Sequence, residues 1–343
     1  MNTKYKSSIV ENKKKKENKL FKYDNLNIKI NNNFNFIALK FCKFISISIL
    51  SLFVKLLPFF KPNKIKVALC TMGREENLYV KEFVFYYKKL GIDKIFIYDD
   101  NDPNTEKIND ANPLKHYAKV FDNMKKIIKT QDDAFTDCYN KYKNKYNWFL
   151  MIDMDEFLVI VNDTLKNYLS NKVFNKCDFI KFHWIIPSDN NLIYYDNRSL
   201  FERFNSSFKK FSHVKTIIRG KIKNLKYHVH SPRYSPEKNI SCNNEGKILN
   251  YSYIDIEMVS PINTKKAYII HFKFKSTEEL IRKYKRGYRD WLKTITQKNL
   301  DRKIIKYLSM NRITKEKIDY IKKEINFNFS KYHISIDKLI NQK

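Results

Sequence analysis

The sequence predicts an α/β fold on a mostly parallel sheet, and three observations carry that prediction. From residue 64 onward, short apolar runs alternate with segments of helical period. Acidic residues close two of those runs, Asp99 after one and Asp153 after another, and ligands on such sheets gather at the carboxyl ends of strands. The chain's 343 residues are enough to bury a sizeable core.

The elements follow in order. Residues 1–33 are rich in Lys and Asn, run Lys13 to Lys16 without a break, and read as a disordered basic tail. Residues 34–62 read as an amphipathic membrane-surface helix: Lys40, Lys43, Ser51 and Lys55 fall on one side, with Phe41, Phe44, Ile45, Ile49 and Leu52 over the rest. Its longest uncharged apolar stretch, residues 44–54, is too short to cross a bilayer, which takes about 20 residues. Pro58 and Pro62 punctuate the boundary, and residues 63–275 form the main domain. Within it, residues 65–70 read as a buried strand and 76–90 as a helix stopped by Gly91. Residues 95–98 and 119–121 read as strands, 132–142 as a helix, and 148–152 as the apolar strand that precedes Asp153. Further strands are expected at 179–185, 215–218 and 267–271. Ser276-Thr-Glu-Glu is a good helix start and opens a basic helical C-terminal region, 276–343.

A net charge of +31 raises nucleic acid or anionic membrane as partners. The cations, however, are 57 Lys against 10 Arg, and Arg is the residue that reads bases and phosphates in bidentate fashion, so nucleic acid is not expected. Lys, Asn and Ile are enriched together, a bias that composition alone also produces. The five cysteines (Cys42, Cys70, Cys138, Cys177 and Cys242) are scattered and contain no C-x-x-C pair, which argues against a disulfide framework and for a reducing compartment. None of the five glycines forms G-x-G-x-x-G or a P-loop, so Rossmann dinucleotide binding and Walker chemistry lack support.

The run from Trp148 to Leu158 holds the densest chemistry. Asp153 and Asp155, at i and i+2 of an extended segment, point the same way, and Glu156 follows directly. Adjacent carboxylates repel unless a cation or a proton lies between them, and hard divalent cations bind through one or two carboxylates plus substrate phosphates. A helix cap or a solvated loop is the plainer reading of the same pair. His228 and His230 have ligand-like spacing but no acidic or cysteine partner nearby, and read as structural.

Three ordered blocks carry a resemblance. The first is Cys70 through Asn77, Glu82-Phe83 and Leu90 through Asp99; the second is Gln131, Tyr139 and Trp148 through Phe157, with its D-x-D-E-F ending. The third is Ile270-His271-Phe272, Lys275-Ser276 and Arg286-Gly287. Over about residues 64–290 the chain resembles GT-A-fold glycosyltransferases of the family 2 and family 92 type, departing at Tyr87, where many relatives carry His, and at Phe83, where Trp is commoner. The resemblance implies a GT-A mixed sheet flanked by helices, with Asp153 and Asp155 holding Mn2+ or Mg2+ and His271 as third ligand or diphosphate contact. It implies that Arg74, Asp99 and Gln131 face the nucleotide of a nucleotide-sugar donor. For an inverting reaction, Glu156, Asp189 and Glu202 are the candidate general bases. The expected activity is sugar transfer to a cell-surface glycan or lipid-linked acceptor, by a cytoplasmic protein peripheral on the inner, anionic face of the cell membrane. A metal-dependent nucleotidyltransferase is the enzymatic alternative, and a non-enzymatic basic membrane- or nucleic-acid-binding protein the other. The basic residues Arg282, Lys283, Lys285, Arg286 and Arg289 would engage an anionic glycan or membrane, or form a solvated helical face.

Overall fold

The computed structural model describes residues 65–122, 128–228, 230–233, 239–249, 257–287, 296–325 and 327–335. The expected basic tail and amphipathic helix, residues 1–62, lie outside the described residues. Alternate side chains of the first strands enter two apolar layers, which is why these strands read as continuous apolar runs. In β1 (Val67–Gly73), Val67 and Leu69 join one layer and Ala68 and Cys70 the other. β2 (Lys94–Asp99) divides Ile95 and Ile97 from Phe96 and Tyr98 in the same way, and β4 (Trp148–Met151) divides Trp148 and Leu150 from Phe149 and Met151.

Between these strands, α1 (Asn77–Leu90) ends where Gly91 adopts a left-handed conformation, φ 101°, that Gly tolerates without cost. After the short α2 (Ile108–Ala111) and β3 (Ala118–Phe121), α3 (Gln131–Tyr142) starts at a capping box formed by Thr130 and Asp133. The chain continues through β5 (Glu156–Ile160), α4 (Leu165–Ser170), β6 (Phe179–Pro187), α5 (Leu200–Arg203), β7 (Phe208–Arg219), the small β8 (Lys226–His228) and β9 (Ser231–Arg233) hairpin, β10 (Ser241–Asn243) and β11 (Ala267–His271). It closes with α6 (Thr277–Arg286), α7 (Gln297–Leu308) and α8 (Lys315–Ile325).

The main sheet runs β3-β2-β1-β4-β7-β6-β11-β5, with β10 alongside β6. β3, β2, β1 and β4 are mutually parallel and in register, Gly73 against Asp99 and Cys70 against Met151, so their carboxyl ends form one rim. β7 is antiparallel to both β4 and β6, and β5 is antiparallel to β11. The fold is therefore the α/β mixed sheet flanked by helices that the sequence predicts. Ile304, Tyr307, Ile318 and Ile321 of the C-terminal helices belong to the same apolar layer as Phe157 and Phe272.

The cysteine expectation is corrected. Cys70 of β1 is bonded to Cys138 of α3, and Cys177 to Cys242 of β10, with Cα separations of 6.4 and 5.8 Å. Each pair is 65 or more residues apart in sequence, so no local spacing signals it; the strand order brings the partners together. Cys42 lies outside the described residues.

Candidate active site

β4 delivers the chain to a turn at Asp153–Asp155, and β5 leads it away. Glu156 folds back to close that turn: its Oε2 accepts from the Asp153 amide at 3.0 Å. Beneath the turn lies the fully buried ammonium of Lys215, from β7, 3.0 Å from Asp153 Oδ2 and 3.5 Å from Glu156 Oε2. Burial, reinforced by the Asp153 and Asp155 charges, raises the Glu156 carboxyl well above its ordinary range although Lys215 opposes this. The second oxygen of Asp153 accepts from the Gln131 side chain at the start of α3. Glu156 is thus an internal brace.

Tyr87 accounts for its own departure from the resembled pattern. Its hydroxyl donates to the Glu156 carbonyl and accepts from the Leu158 amide, both at 2.9 Å, tying α1 to the start of β5. Phe157 packs within 6 Å of the Phe83, Tyr86, Phe201 and Phe272 rings. The Glu-Phe half of the motif therefore secures the turn that its Asp residues occupy.

Antiparallel pairing of β5 with β11 sets His271 opposite Glu156. His271 Nε2 lies 3.5 Å from Asp155 Oδ1 and its Nδ1 3.7 Å from Glu156 Oε1; among the described residues neither Nδ1 nor Oε1 has a hydrogen-bond partner. Burial lowers the imidazole to about 4, partly countered by Asp155, so His271 is neutral at neutral pH. Burial would raise Asp155, yet Lys283, His271 and Lys275 hold its carboxyl well below the usual carboxylate range. The closest of these, Lys283 Nζ of α6, is 2.6 Å from Asp155 Oδ2. One helical turn on, Arg286 reaches Glu76 at 2.8 Å, and Lys275 meets the same carboxylate at 2.9 Å.

Glu76, Asp153, Asp155, His271, Lys283 and Arg286 line a cavity of about 350 Å³ on the sheet's carboxyl rim. Met72, Arg74, Asp100 and Gln131 lie on its β1–β2 side, and Trp184, His230, His271 and Lys273 on its β6–β11 side. The Asp153–Asp155 turn lies between them in the strand order, and α6 contributes Lys283, Tyr284 and Arg286. The Trp184 ring stacks on His213 at 5.1 Å and meets His230 and His271 edge-on at 5.0 and 4.4 Å. His230 Nδ1 contacts the Val214 carbonyl at 3.2 Å, and burial beside Lys215 lowers the ring to about 2.

Of the residues singled out in the sequence, Arg74, Gln131, Asp153, Asp155 and His271 line this cavity. Four others do not. Asp99 turns both oxygens onto backbone amides, those of Asn101 and Ile108 at 2.8 and 2.9 Å, while its neighbour Asp100 takes the lining position. Asp189 is buried in an ion pair with Lys317 at 2.6 Å and accepts from the Tyr307 hydroxyl, away from the cavity. Glu202 is exposed in the short α5, where its amide donates to the capping Ser199 side chain. Glu156, the remaining base candidate, is fully buried. Sequence reasoning missed Glu76 and Trp184, which no local pattern marks, and read His230 as structural despite its spacing from His228; the three meet only through the neighbourhood of β1, β6 and the β8–β9 turn.

The donor chemistry accommodates a divalent cation as a partial site. Two ligands bound to one small cation at about 2.1 Å stand about 3 Å apart, near the Asp155–His271 separation of 3.5 Å. A metal-binding imidazole is usually oriented by a carboxyl facing its other nitrogen, and Glu156 Oε1, 3.7 Å from His271 Nδ1, is placed for that. Among the described residues no three His, Cys, Asp or Glu side chains converge on one point, so substrate phosphates would have to complete the coordination.

The sheet order and the cleft at its carboxyl rim are those of a Rossmann-like α/β fold. The family model for glycosyltransferase family 92 matches residues 63–328, and the chain belongs to that family. A family 92 protein of Oryza sativa subsp. japonica is 30% identical over 107 residues, 31% of this chain and 18% of the relative. One from Ricinus communis is 28% identical over 117 residues (31% and 20%), and one from Arabidopsis thaliana 30% over 95 residues (27% and 16%). The matches thus span about a fifth or less of the length of these relatives. A crystal structure of 4-diphosphocytidyl-2C-methyl-D-erythritol synthase aligns with a TM-score of 0.28 and 11% identity, over 46% of this chain and 76% of that one, too slight a likeness to carry an argument.

Proposed function

We propose that this chain transfers a glycosyl group from a nucleotide-sugar to a glycan or lipid-linked acceptor, with Mn2+ or Mg2+ held through Asp155 and His271. The observation that supports this most directly is the pairing of a desolvated carboxylate with a neutral imidazole at the sheet's carboxyl rim, inside a cavity also lined by Arg74, Lys273, Lys283 and Arg286. When bound, the cation would supply Lewis-acid stabilisation of the charge that develops on the leaving nucleoside diphosphate. The chain's own part is to hold and orient. Lys215 and Gln131 restrain Asp153 at the turn, His271 offers a neutral nitrogen, and the cavity's Arg and Lys groups receive phosphate charge. Asp100 and Gln131, which line the cavity on its β1–β2 side, would face the nucleotide.

The two disulfides support an oxidising compartment for this domain in place of the cytoplasmic face expected from cysteine spacing. Attachment to an anionic membrane surface rests on the lysine-sided segment 34–62 alone. The deciding experiment is a panel of nucleotide-sugars with Mn2+ and mixed glycan acceptors, read as nucleoside diphosphate release, with Asp155→Asn as control. We expect release from one donor class, reduced at least about 100-fold in the variant. No release from any donor, or pyrophosphate release from a nucleoside triphosphate instead, would refute the assignment.

A further inference from the structure

Helix α6 is firmly seated: Ser276 and Glu279 form its capping box, Leu280 and Ile281 enter the core, and Glu279 is held by the buried Arg203 at 2.7 Å. From that base two cations three residues apart reach into the cavity, each ending on a carboxylate, Lys283 on Asp155 and Arg286 on Glu76. Asp155 is 4% exposed, and a carboxylate so desolvated needs a positive partner in every state of the protein. Lys283 supplies it at 2.6 Å, on the oxygen opposite the one that faces His271.

We propose that Lys283 is a resident cation of the Asp155 site, which yields to the divalent cation only when a diphosphate arrives to take the ammonium, so that cation and donor bind cooperatively. This rests on the glycosyltransferase reading above. A divalent cation sharing Asp155 with an ammonium in a low-dielectric cleft meets strong like-charge repulsion. A diphosphate removes the conflict by offering oxygens to both. Lys suits the exchange, being a point charge on a flexible stem with three rotatable donors, where an Arg fork would be held by its geometry. The Lys283 side chain is 18% exposed, with room to turn from Asp155 toward the cavity it lines. By linkage, whatever the diphosphate does for the cation, the cation does equally for the diphosphate.

The test uses the full chain, Mn2+, and inorganic pyrophosphate as the core common to every nucleoside-diphosphate donor, with protein-bound Mn2+ measured by equilibrium dialysis and referred to the free Mn2+ that spin resonance gives in the protein-free Mn2+–pyrophosphate compartment. In the wild type, Mn2+ alone should bind weakly and tighten by about 5- to 150-fold with saturating pyrophosphate. Lys283→Met should bind Mn2+ alone at least about 5-fold more tightly than wild type and lose most of the pyrophosphate effect. Lys283→Arg, which keeps the charge, should bind Mn2+ alone as weakly as wild type and reports that the helix remains seated. If wild type binds Mn2+, Asp155→Asn abolishes binding and Lys283→Met matches or falls below wild type, the resident-cation role is overturned while the cation site stands. If wild type binds no Mn2+ with or without pyrophosphate, both readings fall.

Discussion

Removing the buried ammonium of Lys215 tests the electrostatic construction of the site most directly. Its side chain has no solvent exposure and lies 3.0 Å from Asp153 and 3.5 Å from Glu156. At an effective dielectric constant of about 20, each contact is worth a gross ~5 kcal/mol, most of which offsets the cost of taking three ionisable groups out of water. Deleting one partner of such a cluster exposes that cost and typically destabilises by about 3–5 kcal/mol. Two features place Lys215→Met near the lower end. The Asp153 side chain is 30% exposed and keeps Gln131, and Glu156, already raised well above its ordinary range, can take a proton. We therefore expect a loss of about 3 kcal/mol in urea unfolding, with an unchanged m-value. Adding Glu156→Gln should recover at least about 1 kcal/mol, because Gln retains an oxygen for the Asp153 amide without a charge to bury. A loss below about 1 kcal/mol for Lys215→Met, or no recovery in the double variant, would refute the claim that this lysine neutralises the turn.

Other perturbations act on the same turn and on the frame around it. Tyr87→Phe strands the Leu158 amide in the core and should cost about 1–3 kcal/mol by denaturant titration; a smaller effect would mean β5 needs no tie to α1. Gly73→Ala drives a Cβ into Met154 Sδ, between the two aspartates; we expect a loss of about 1 kcal/mol together with weaker pyrophosphate–Mn2+ binding, and unaltered binding would count against a tight approach there. Burial depresses the His271 pKa from 6.5 to about 4, so between those pH values the unfolded chain takes up a proton that the native chain does not, and stability falls as pH drops. His271→Gln should remove that share of the pH slope in urea titrations, and an unchanged slope would show the imidazole is not desolvated. Thiol labelling of denatured, unreduced protein should modify one of the five cysteines, and labelling of all five would refute both bridges.

What was legible in the sequence was local. The continuous apolar runs of β1, β2 and β4, the Gly91 stop and the acidic residues that close an apolar strand all follow from composition and turn chemistry within a few positions. What was illegible depends on which strands become neighbours. β5 carries no element assignment in the sequence because its identity as a strand comes from pairing with β11, more than 100 residues on. Glu156 was a candidate base on composition, and its fold-back onto the Asp153 amide gives it a structural task instead. Asp189 and Glu202 had no distinguishing context in sequence; one is consumed by Lys317 from a distant helix, and the other faces solvent. The cystines were hidden for the same reason, since Cys70 and Cys138 meet only once α3 packs on β1.

The lysine excess takes on a different meaning at the cleft. Glu76, Asp153 and Asp155 share one cavity wall with Glu156 buried behind it, an arrangement that mutual repulsion would oppose on its own. Lys275, Arg286, Lys215 and Lys283 are interleaved with them at 2.6 to 3.5 Å, so the carboxylates of the wall meet cations before any ligand arrives. Arg74 and Lys273 line the same cavity in addition, which biases it toward an anion. A wall of this kind does not require its ligands in order to fold, and that is the condition under which a cation and a diphosphate can exchange for resident ammonium groups without collapse of the turn. Most of the +31 charge is open to a compositional explanation; Lys215, fully buried between two carboxylates, is not, because a lysine placed there by base composition alone would cost stability unless those carboxylates needed it.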